Sequence, residues 1–374
     1  MRVLTVNAGS SSLKIRLLDH DDAVLQSADL DAPGGDVRPD DVRRALQACP
    51  RPDVVAHRIV HGGTEFTGAV ALDDTVIGEL EQLTALAPLH QPKSLSALRA
   101  VSALLPDVPA VACFDTAFHA SIPAAASTYA VPRAWHERYG VRKYGFHGLS
   151  HAYSTRRVTE LTGAAPPRLV VAHLGAGCSL TAVVDGRSRD TTMGFTPLAG
   201  LVMATRSGDV DPGLVLWLEQ HEGLSPAAVA GALERNAGLL ALAGDADMRH
   251  VLAAERRGEE RAVLALQVYV HRLVTLAGAM AAAAGGLDAL VFTGGVGERS
   301  AQVRRRCVDG LAHLGAALDA GANEAADASA QDEEITGTSA TARVFVVRAR
   351  EDLQMATECR RLLGAPAAGH AAQL

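Results

Sequence analysis

Apolar runs and amphipathic stretches alternate along the chain, and this alternation predicts a layered α/β protein. Short runs rich in β-branched residues predict strands, and apolar positions three and four residues apart predict helices. The predicted strands cover residues 2–6, 13–18, 54–60, 108–114, 169–173, 180–184, 287–293 and 343–347. The predicted helices cover residues 42–48, 77–86, 94–105, 150–162, 212–220, 226–236, 247–257, 259–284, 300–314 and 351–363.

A loop with two prolines at 166–167 is the candidate junction between two domains, and two domains are also what 374 residues suggest. Residues 3–19 and 169–185 both follow the order strand, turn with glycine, strand, aspartate. Chance similarity between two unrelated glycine-containing hairpins is the alternative explanation of this likeness. If the likeness is real, the chain contains two related α/β domains, each with a turn that contacts phosphate.

The composition narrows the class of protein. Hydrophobic residues at 48% and charged residues at 21% are ordinary for a globular chain and exclude a disordered one. The 42 acidic residues outnumber the 35 basic ones, so we expect no nucleic-acid or membrane partner. Five scattered cysteines without a CxxC pair favour a reducing compartment. The N-terminus does not resemble a signal peptide, and the apolar stretch 273–284 is too short to span a membrane, so we expect a cytoplasmic protein.

Three glycine turns follow predicted strands, and together they favour a nucleotide ligand. The segment 7–14, Asn-Ala-Gly-Ser-Ser-Ser-Leu-Lys, offers N–H groups, hydroxyls and a positive charge to phosphate oxygens. The turns at 173–177 and 293–298 contain glycines that let the main chain approach a ligand closely. No GxxxxGK[ST] motif occurs in the sequence, which excludes the P-loop class.

Arginines and histidines near these turns are further candidates. Arg58 ends a predicted strand and Arg206 lies in a polar loop, positions where a guanidinium suits carboxylate or phosphoryl oxygens. Histidines gather near residues 90, 119 and 147–151. A zinc site is one interpretation, but the sequence contains neither HExxH nor a Cys/His zinc pattern, so histidines that hydrogen-bond near an anion are favoured. The sequence also lacks the GxSxG elbow of serine hydrolases.

Ten segments between residues 3 and 352 contain these candidates. They are VNAGSSSLK, HRIVHGG, APLHQP, FDTAFH, YGFHGLSH, VVAHLGAG, TMGFTPLAGLVMATRSGDVDPG, DADMR, VFTGGVGE and ARED. In this order they resemble the motifs of the acetate kinase family, which belongs to the superfamily of acetate and sugar kinases, Hsp70 and actin. Of these segments, FDTAFH and TRSGDVDPG are specific to this family.

The resemblance implies two RNase H-like domains of the actin/Hsp70 type, each a mixed sheet with helices, flanking a cleft. Residues 1–150 plus 352–374 would form the acyl- and phosphate-side domain, and residues 151–351 the nucleotide-binding domain. The resemblance also implies a homodimeric kinase that transfers a phosphoryl group in line from ATP to acetate, reversibly. Propionate is the alternative acid with the same chemistry. A catalytically degenerate nucleotide-binding module is the alternative from a different class.

The family's functional residues carry over onto matching positions of this sequence. The resemblance assigns catalysis to Asp115, Arg206 and His147. It assigns the acyl substrate to Arg58, Val60, Leu89, Phe146 and Pro197. It assigns the nucleotide to Ser10, Ser12, Lys14, His173, Gly175, Gly177, Asp247, Arg249, Gly295, Gly297 and Arg299. It assigns Mg²⁺, with Mn²⁺ as an alternative, to Asn7 and Glu351.

The chemistry of a carboxylate substrate bears on the role of Asp115. A carboxylic acid with an ordinary pKa is already ionised at neutral pH, so the reaction needs no general base. We therefore expect Asp115 to orient an arginine or a metal-bound water. The sequence departs from the family at Ala176 and Arg299, where Asn is usual, and at Ala199, where Glu is usual. Because the two Asn positions lie in nucleotide turns, we expect activity with a raised KM for ATP.

Overall fold

The computed structural model describes residues 1–9, 12–32, 38–47, 49–88, 90–327 and 331–364. The chain forms two compact units. Unit 1 comprises Met1–Ala120, Phe146–Tyr153 and Arg350–Leu374, and unit 2 comprises Ser121–Gly145 and Ser154–Ala349. Residues 121–145, which the predicted boundary at 150 placed in the first domain, group with unit 2.

The structure contains β-strands, α-helices and short 3-10 helices. The strands are β1 (Val3–Ala8), β2 (Ser12–Leu18), β3 (Val24–Asp31), β4 (Val54–Ile59), β5 (Val70–Ala71), β6 (Ala110–Phe114), β7 (Arg168–Leu174), β8 (Cys178–Val184), β9 (Arg187–Thr191), β10 (Ala289–Thr293), β11 (Glu333–Glu334) and β12 (Arg343–Val346). The helices are α1 (Pro39–Gln47), α2 (Asp74–Gln82), α3 (Gln91–Leu104), α4 (Ala124–Ser127), α5 (Arg133–Tyr139), α6 (Gly148–Thr162), α7 (Pro212–Gln220), α8 (Pro226–Arg235), α9 (Gly238–Ala243), α10 (Met248–Arg256), α11 (Glu260–Ala284), α12 (Gly294–Arg299), α13 (Ala301–Gly310), α14 (Ala320–Ala325) and α15 (Glu351–Leu362). The 3-10 helices are Leu83–Leu86, Ala117–Ser121 and Ala312–Leu314.

Unit 1 is built on a six-stranded mixed sheet in the order β3-β2-β1-β4-β6-β5. Strands β1, β4 and β6 are parallel, and the other strands pair antiparallel. Side chains alternate between two covered faces: Val54 packs with Met355 of α15, and Val55 packs with Ala97 of α3. Parallel strands that are covered on both faces are largely apolar, which is why the hydrophobic pattern predicted them.

Unit 2 repeats this strand order. Its sheet runs β11-β12-β10-β7-β8-β9, with β7, β10 and β12 parallel. Strands β7, β8 and β9 form the antiparallel meander that β1, β2 and β3 form in unit 1. The likeness of residues 3–19 to residues 169–185 therefore reflects a repeated fold, and the prediction of two related α/β domains is confirmed.

The longest helix, α11, lies in the core of unit 2. By length and composition alone it is apolar enough to span a membrane. However, nine of its side chains are buried, and it packs against β7, β8, α9 and α10. These contacts are those of the buried alanine-rich helix that the sequence predicts.

Strands β3 and β9, which close one side of each meander, were not predicted. The side chains of β3 alternate between exposed and half-buried, and β9 has the polar sequence Arg-Ser-Arg-Asp-Thr. Such outer strands gain their structure from main-chain pairing with a neighbour rather than from a continuous apolar run. Hydrophobic periodicity is therefore weakest in these strands.

Candidate active site

Three polar residues follow the parallel strands of unit 1 at one edge of its sheet. Asn7 lies near the end of β1, Arg58 near the end of β4, and Asp115 directly after β6. The register pairs Arg58 with Cys113, so the ends of these neighbouring strands are level. The sheet therefore gathers an amide, a guanidinium and a carboxylate that are far apart in the sequence.

Arg58 and Asp115 form a bidentate ion pair. Nε of Arg58 donates to Oδ1 of Asp115 at 2.9 Å, and Nη2 donates to Oδ2 at 2.6 Å. Nη1 of Arg58 donates to Oδ1 of Asn7 at 3.0 Å. The side chains of the ion pair are 14% and 2% exposed. A guanidinium has five N–H groups, so these three contacts leave two N–H groups for a substrate carboxylate.

The charges of this pair depend on each other. Burial raises the pKa of Asp115 above its ordinary value; Arg58 opposes this rise and Glu351 adds to it. Burial also disfavours the charge of Arg58, but the attraction of Asp115 and Glu351 outweighs it and raises the pKa of the guanidinium. Arg58 therefore stays charged. Asp115 is engaged at both oxygens, an arrangement that suits an orienting group better than a proton acceptor.

Glu351 joins the cluster as the first residue of α15. Its Oε2 accepts a hydrogen bond from Nδ2 of Asn7 at 2.7 Å and lies 3.9 Å from Nη1 of Arg58. The N-terminus of a helix favours a carboxylate. The cluster thus presents carboxylate and amide oxygens, the ligands that Mg²⁺ prefers.

The donor set fits a magnesium ion that takes its other ligands from phosphate and water, as Mg²⁺ does in many phosphoryl-transfer sites. Within residues 1–9, 12–32, 38–47, 49–88, 90–327 and 331–364, no group of three or more His, Cys, Asp or Glu side chains is arranged to hold a metal. A fully protein-coordinated metal centre is thus not what the described residues offer.

Phe146 and His147 are attached to the same cluster through the main chain. The N–H of Gly148 donates to the carbonyl oxygen of Asp115 at 2.7 Å. A Cβ atom at Gly148 would overlap that carbonyl oxygen, so only glycine allows this approach. His147 has a left-handed φ of 58°, a strained conformation for a side-chain-bearing residue. This conformation turns the chain between buried Phe146 and the start of α6.

The other predicted site residues of unit 1 that the structure describes lie on β2 or directly after β4. Val60 is buried directly after β4. Ser12 begins β2, and its carbonyl oxygen accepts a hydrogen bond from the N–H of Gly9 at 2.8 Å. Lys14 pairs in register with Asn7 and is exposed. Ser10 and Leu89 lie outside the described residues.

Unit 2 gathers its glycine turns at the corresponding edge of its own sheet. His173 of β7 pairs in register with Thr293 of β10, and both strands then enter glycine-containing segments. Gly294 has a left-handed φ of 77°, and a Cβ atom there would lie 2.8 Å from the carbonyl oxygen of Leu174. The N–H of Gly175 donates to the carbonyl oxygen of Gly177 at 3.0 Å. Residues 173–177 form the predicted turn, whereas Gly294–Arg299 forms helix α12 and not the predicted turn. The predicted nucleotide residues of the two segments are neighbours, including Gly295 and Gly297.

A hydrogen bond joins the side chain of Arg206 to the main chain of Pro197. Nη1 of Arg206 donates to the carbonyl oxygen of Pro197 at 2.6 Å. Burial lowers the pKa of Arg206, so its charge is held in a poorly hydrated place. The N–H of Ala204 donates to the carbonyl oxygen of Ala176 at 3.0 Å, which joins the Arg206 loop to the turn between β7 and β8.

Asp247, Arg249 and Arg299 lie at helix ends. Asp247 caps the N-terminus of α10, and its carboxylate also accepts hydrogen bonds from the Arg249 side chain. These bonds lower the pKa of Asp247 to about 2. Arg299 is the last residue of α12 and is exposed. The structure thus pairs two of the predicted adenosine contacts with each other.

Two side chains support the glycine-rich segment 294–297: Glu298, which lies in the range 295–299 that the resemblance assigns to adenosine, and Arg304, which the sequence did not single out. Oε1 of Glu298 accepts hydrogen bonds from the N–H of Gly294 at 3.1 Å and from that of Ala349 at 2.8 Å. Arg304 is fully buried, and its Nη1 donates to the carbonyl oxygen of Gly297 at 2.9 Å. The GGVGE motif contains Glu298, so the motif itself was a clue. Arg304 lies in a run of three arginines, and nothing in that run distinguishes it.

The chain is similar in sequence and fold to proteins of known function. The model of the acetokinase family matches residues 43–357. An acetate kinase of Desulfitobacterium hafniense is 40% identical over 394 aligned positions, covering 96% of this chain and 98% of that protein. The structure of Porphyromonas gingivalis acetate kinase superposes with a TM-score of 0.87 at 34% identity, covering 97% of this chain and 99% of that one. A propionate kinase from Francisella tularensis gives a TM-score of 0.86 at 33% identity, covering 96% and 98%.

Proposed function

Because the chain belongs to the acetokinase family and is a kinase, we propose that it catalyses the reversible transfer of a phosphoryl group from ATP to acetate, forming acetyl phosphate and ADP. The observation that carries the proposal is the Arg58–Asp115 ion pair at the sheet edge of unit 1. A buried guanidinium with N–H groups to spare is a receptor for a small carboxylate.

The proposed reaction is a direct in-line displacement. Acetate is ionised at neutral pH and attacks as a carboxylate, so no side chain has to remove a proton. The obstacle is the approach of one anion to another, which positive side chains and alignment overcome. Arg58 would bind the acetate carboxylate, and Asp115 would hold the guanidinium in the orientation that presents its remaining N–H groups.

The remaining roles rest on the family resemblance, and local features support them. His147 and Arg206 would stabilise the transferring phosphoryl group. Burial of Arg206 supports this role, because a poorly hydrated guanidinium interacts strongly with an anion. Val60, Phe146 and Pro197 would contact the methyl group of acetate, together with Leu89. The burial of Val60 and Phe146 agrees with an apolar contact.

A divalent cation would be held by oxygen atoms of Asn7 and Glu351. Mg²⁺, or Mn²⁺ in its place, supplies positive charge that offsets the phosphate charges. The hydrogen bond between Asn7 and Glu351 keeps the two side chains together, which supports a shared ligand.

The nucleotide contacts also rest on the family resemblance. Ser10, Ser12 and Lys14 would lie near its phosphates, as would His173, Gly175 and Gly177. The adenosine end would be held by Gly295, Gly297 and Arg299 together with Asp247 and Arg249. The 173–177 turn and the N-terminus of α12 lie at one edge of the unit 2 sheet, which supports this assignment.

Propionate is the alternative substrate, and the propionate kinase among the similar structures favours keeping it. One more methylene changes binding in an apolar pocket by roughly 1 to 3 kcal/mol, a preference that only measurement ranks. A nucleotide-binding module without catalysis remains the alternative from a different class.

The decisive assay incubates the protein with ATP, Mg²⁺ and acetate, propionate or butyrate, and traps acyl phosphate with hydroxylamine. We expect product with acetate above product with propionate. Arg58→Gln should abolish it, whereas the matched exposed variant Arg257→Gln should not. A higher yield with propionate would identify the alternative acid. Nucleotide binding without any acyl phosphate would support the degenerate module and refute the proposal.

We also expect the enzyme in the cytoplasm and as a homodimer, as the resemblance implies. Light scattering coupled to size-exclusion chromatography tests the assembly. A mass near twice the 38.9 kDa of one chain is the expected result, and a monomer at assay concentration would contradict it.

A further inference from the structure

The part of unit 2 between Ser127 and Gly145 holds the loop that leads to Pro197. The N–H groups of Tyr144 and Gly145 donate to the carbonyl oxygen of Gly194 at 3.1 and 3.2 Å. The N–H of Phe195 donates to Oη of Tyr129 at 3.0 Å. Two main-chain groups and one side chain therefore fix two successive residues of the loop. Of these contacts, the Tyr129 hydroxyl is the one that a substitution removes without altering the backbone.

Tyr129 and Gly194 fit each other sterically. A Cβ atom at Gly194 would overlap Oη of Tyr129 but would lie 3.7 Å from Cζ, an ordinary contact distance. Gly194 is not among the glycines with a left-handed φ, so its backbone conformation suits other residues too. The tyrosine hydroxyl is thus the main obstacle to a side chain at Gly194.

The loop beyond Phe195 is connected to Arg206. The carbonyl oxygen of Pro197, two residues further on, accepts the 2.6 Å hydrogen bond from Nη1 of Arg206. Any displacement of Phe195 shifts the acceptor of this bond. Burial raises the pKa of the Tyr129 hydroxyl, so the group stays neutral over the working range and remains an acceptor for the Phe195 N–H.

The main chain of Tyr129 is itself held in place. Nε2 of His136 lies 2.9 Å from the carbonyl oxygen of Tyr129, and Nδ1 lies 2.6 Å from that of Val141. The N–H of Lys143 donates to the carbonyl oxygen of Ser127 at 2.8 Å. These contacts, of which a neutral imidazole supplies one hydrogen bond, close the segment on itself, so Tyr129 offers its hydroxyl from a supported position.

We propose that Tyr129 is a positioning residue for phosphoryl transfer: its hydroxyl fixes the N–H of Phe195 and thereby holds Pro197 and Arg206 in their working geometry. This inference rests on the proposed function, in which Pro197 contacts the acyl group and Arg206 the phosphoryl group. Tyr129 touches neither substrate in this scheme and acts through the loop.

The test compares Tyr129→Phe, Gly194→Ala and the double variant. Loss of the acceptor leaves a main-chain N–H without its partner, so we expect kcat/KM for acetate to fall roughly tenfold in Tyr129→Phe. The KM for ATP should change less than about twofold, because the glycine turns are intact. Gly194→Ala should be at least as impaired. In the double variant alanine no longer meets a hydroxyl, so it should match Tyr129→Phe alone.

Tyr139→Phe is the matched control. Tyr139 lies on α5 and is 55% exposed, so the same loss of a hydroxyl should leave all rates unchanged. Additive defects in the double variant, or a wild-type kcat/KM in Tyr129→Phe, would overturn the proposal. A KM for ATP that rises as much as the KM for acetate would also overturn it, since it would indicate general destabilisation.

Hydrogen exchange followed by mass spectrometry separates this inference from the proposed function. Peptides covering residues 192–201 should exchange faster in Tyr129→Phe than in wild type and in Tyr139→Phe, whatever the substrate. Unchanged exchange in these peptides would refute the role of the Tyr129 hydroxyl in holding the loop. A wild-type protein that makes no acyl phosphate would instead remove the proposed function and with it the catalytic consequence assigned to Tyr129.

Discussion

Replacing Asp115 by asparagine tests whether this carboxylate orients Arg58. The substitution keeps the shape of the side chain but removes the charge that receives two hydrogen bonds from the guanidinium. Removing one partner of a buried ion pair costs about 3 to 5 kcal/mol, because the other charge stays buried without compensation. If that cost falls on the reactive geometry, kcat/KM falls by about 150- to 5,000-fold.

The assay is the initial rate of acyl hydroxamate formation at varied acetate and varied ATP. We expect the loss in Asp115→Asn to appear mainly with acetate, since the predicted nucleotide turns of unit 2 are unchanged. Because acetate needs no proton acceptor, the residual activity should keep the pH profile of the wild type between about pH 6 and 8. Asp185→Asn is the matched control: Asp185 is exposed, and asparagine tolerates its left-handed φ of 49°.

Two outcomes would refute this reasoning. A kcat/KM within about threefold of the wild type would show that Arg58 needs no carboxylate to hold it. A residual activity that rises steeply with pH, when that of the wild type does not, would show that a proton acceptor has been lost and that Asp115 serves as a base.

Three further predictions concern the KM for ATP, the stability of the fold in acid and the affinity for Mg²⁺. Arg304→Gln should raise the KM for ATP roughly tenfold and leave the KM for acetate nearly unchanged, because the carbonyl oxygen of Gly297 loses a charged donor. Initial-rate kinetics with each substrate varied in turn measure both constants. Burial lowers the pKa of His57 from 6.5 to about 3. Between these two pH values the imidazole is protonated in the unfolded chain but neutral in the folded chain. Unfolding free energy should therefore drop by about 2 kcal/mol from pH 7.5 to 5, and His57→Phe should flatten this decline in thermal melts. Glu351→Gln should raise the Mg²⁺ concentration for half-maximal rate several-fold, and an unchanged magnesium titration would exclude Glu351 as a ligand.

The central strands of both sheets could be predicted because burial on two faces makes them largely apolar. Strands β4, β7 and β10 are of this kind, and their predicted bounds differ from the observed ones by at most two residues. Helix α8 was predicted from Ser225 and Pro226, and the Ser225 side chain does cap it by accepting from the N–H of Ala228. Local chemistry suffices at such positions, since the cap and the helix lie in one turn.

Contacts between distant residues could not be predicted in the same way. The sequence singled out Arg58 and Asp115, but their bidentate pairing depends on the register of β4 against β6. Glu298 and Arg304 act on Gly294 and Gly297 through side-chain geometry that appears only once α12 and α13 are folded. Periodicity reports which face of an element is buried and carries no information about these partners.

The departures from the family at Ala176 and Arg299 can now be weighed against the structure. Ala176 contributes to the turn through its carbonyl oxygen, which accepts the N–H of Ala204 whatever its side chain is. The turn itself is closed by the main-chain hydrogen bond from the N–H of Gly175 to the carbonyl oxygen of Gly177. Arg299 is exposed at the end of α12, outside the contacts that hold the GGVGE segment. Neither change disturbs the scaffold. The expected rise in the KM for ATP would therefore come only from lost side-chain contacts with the nucleotide, a smaller effect than a collapsed turn would cause.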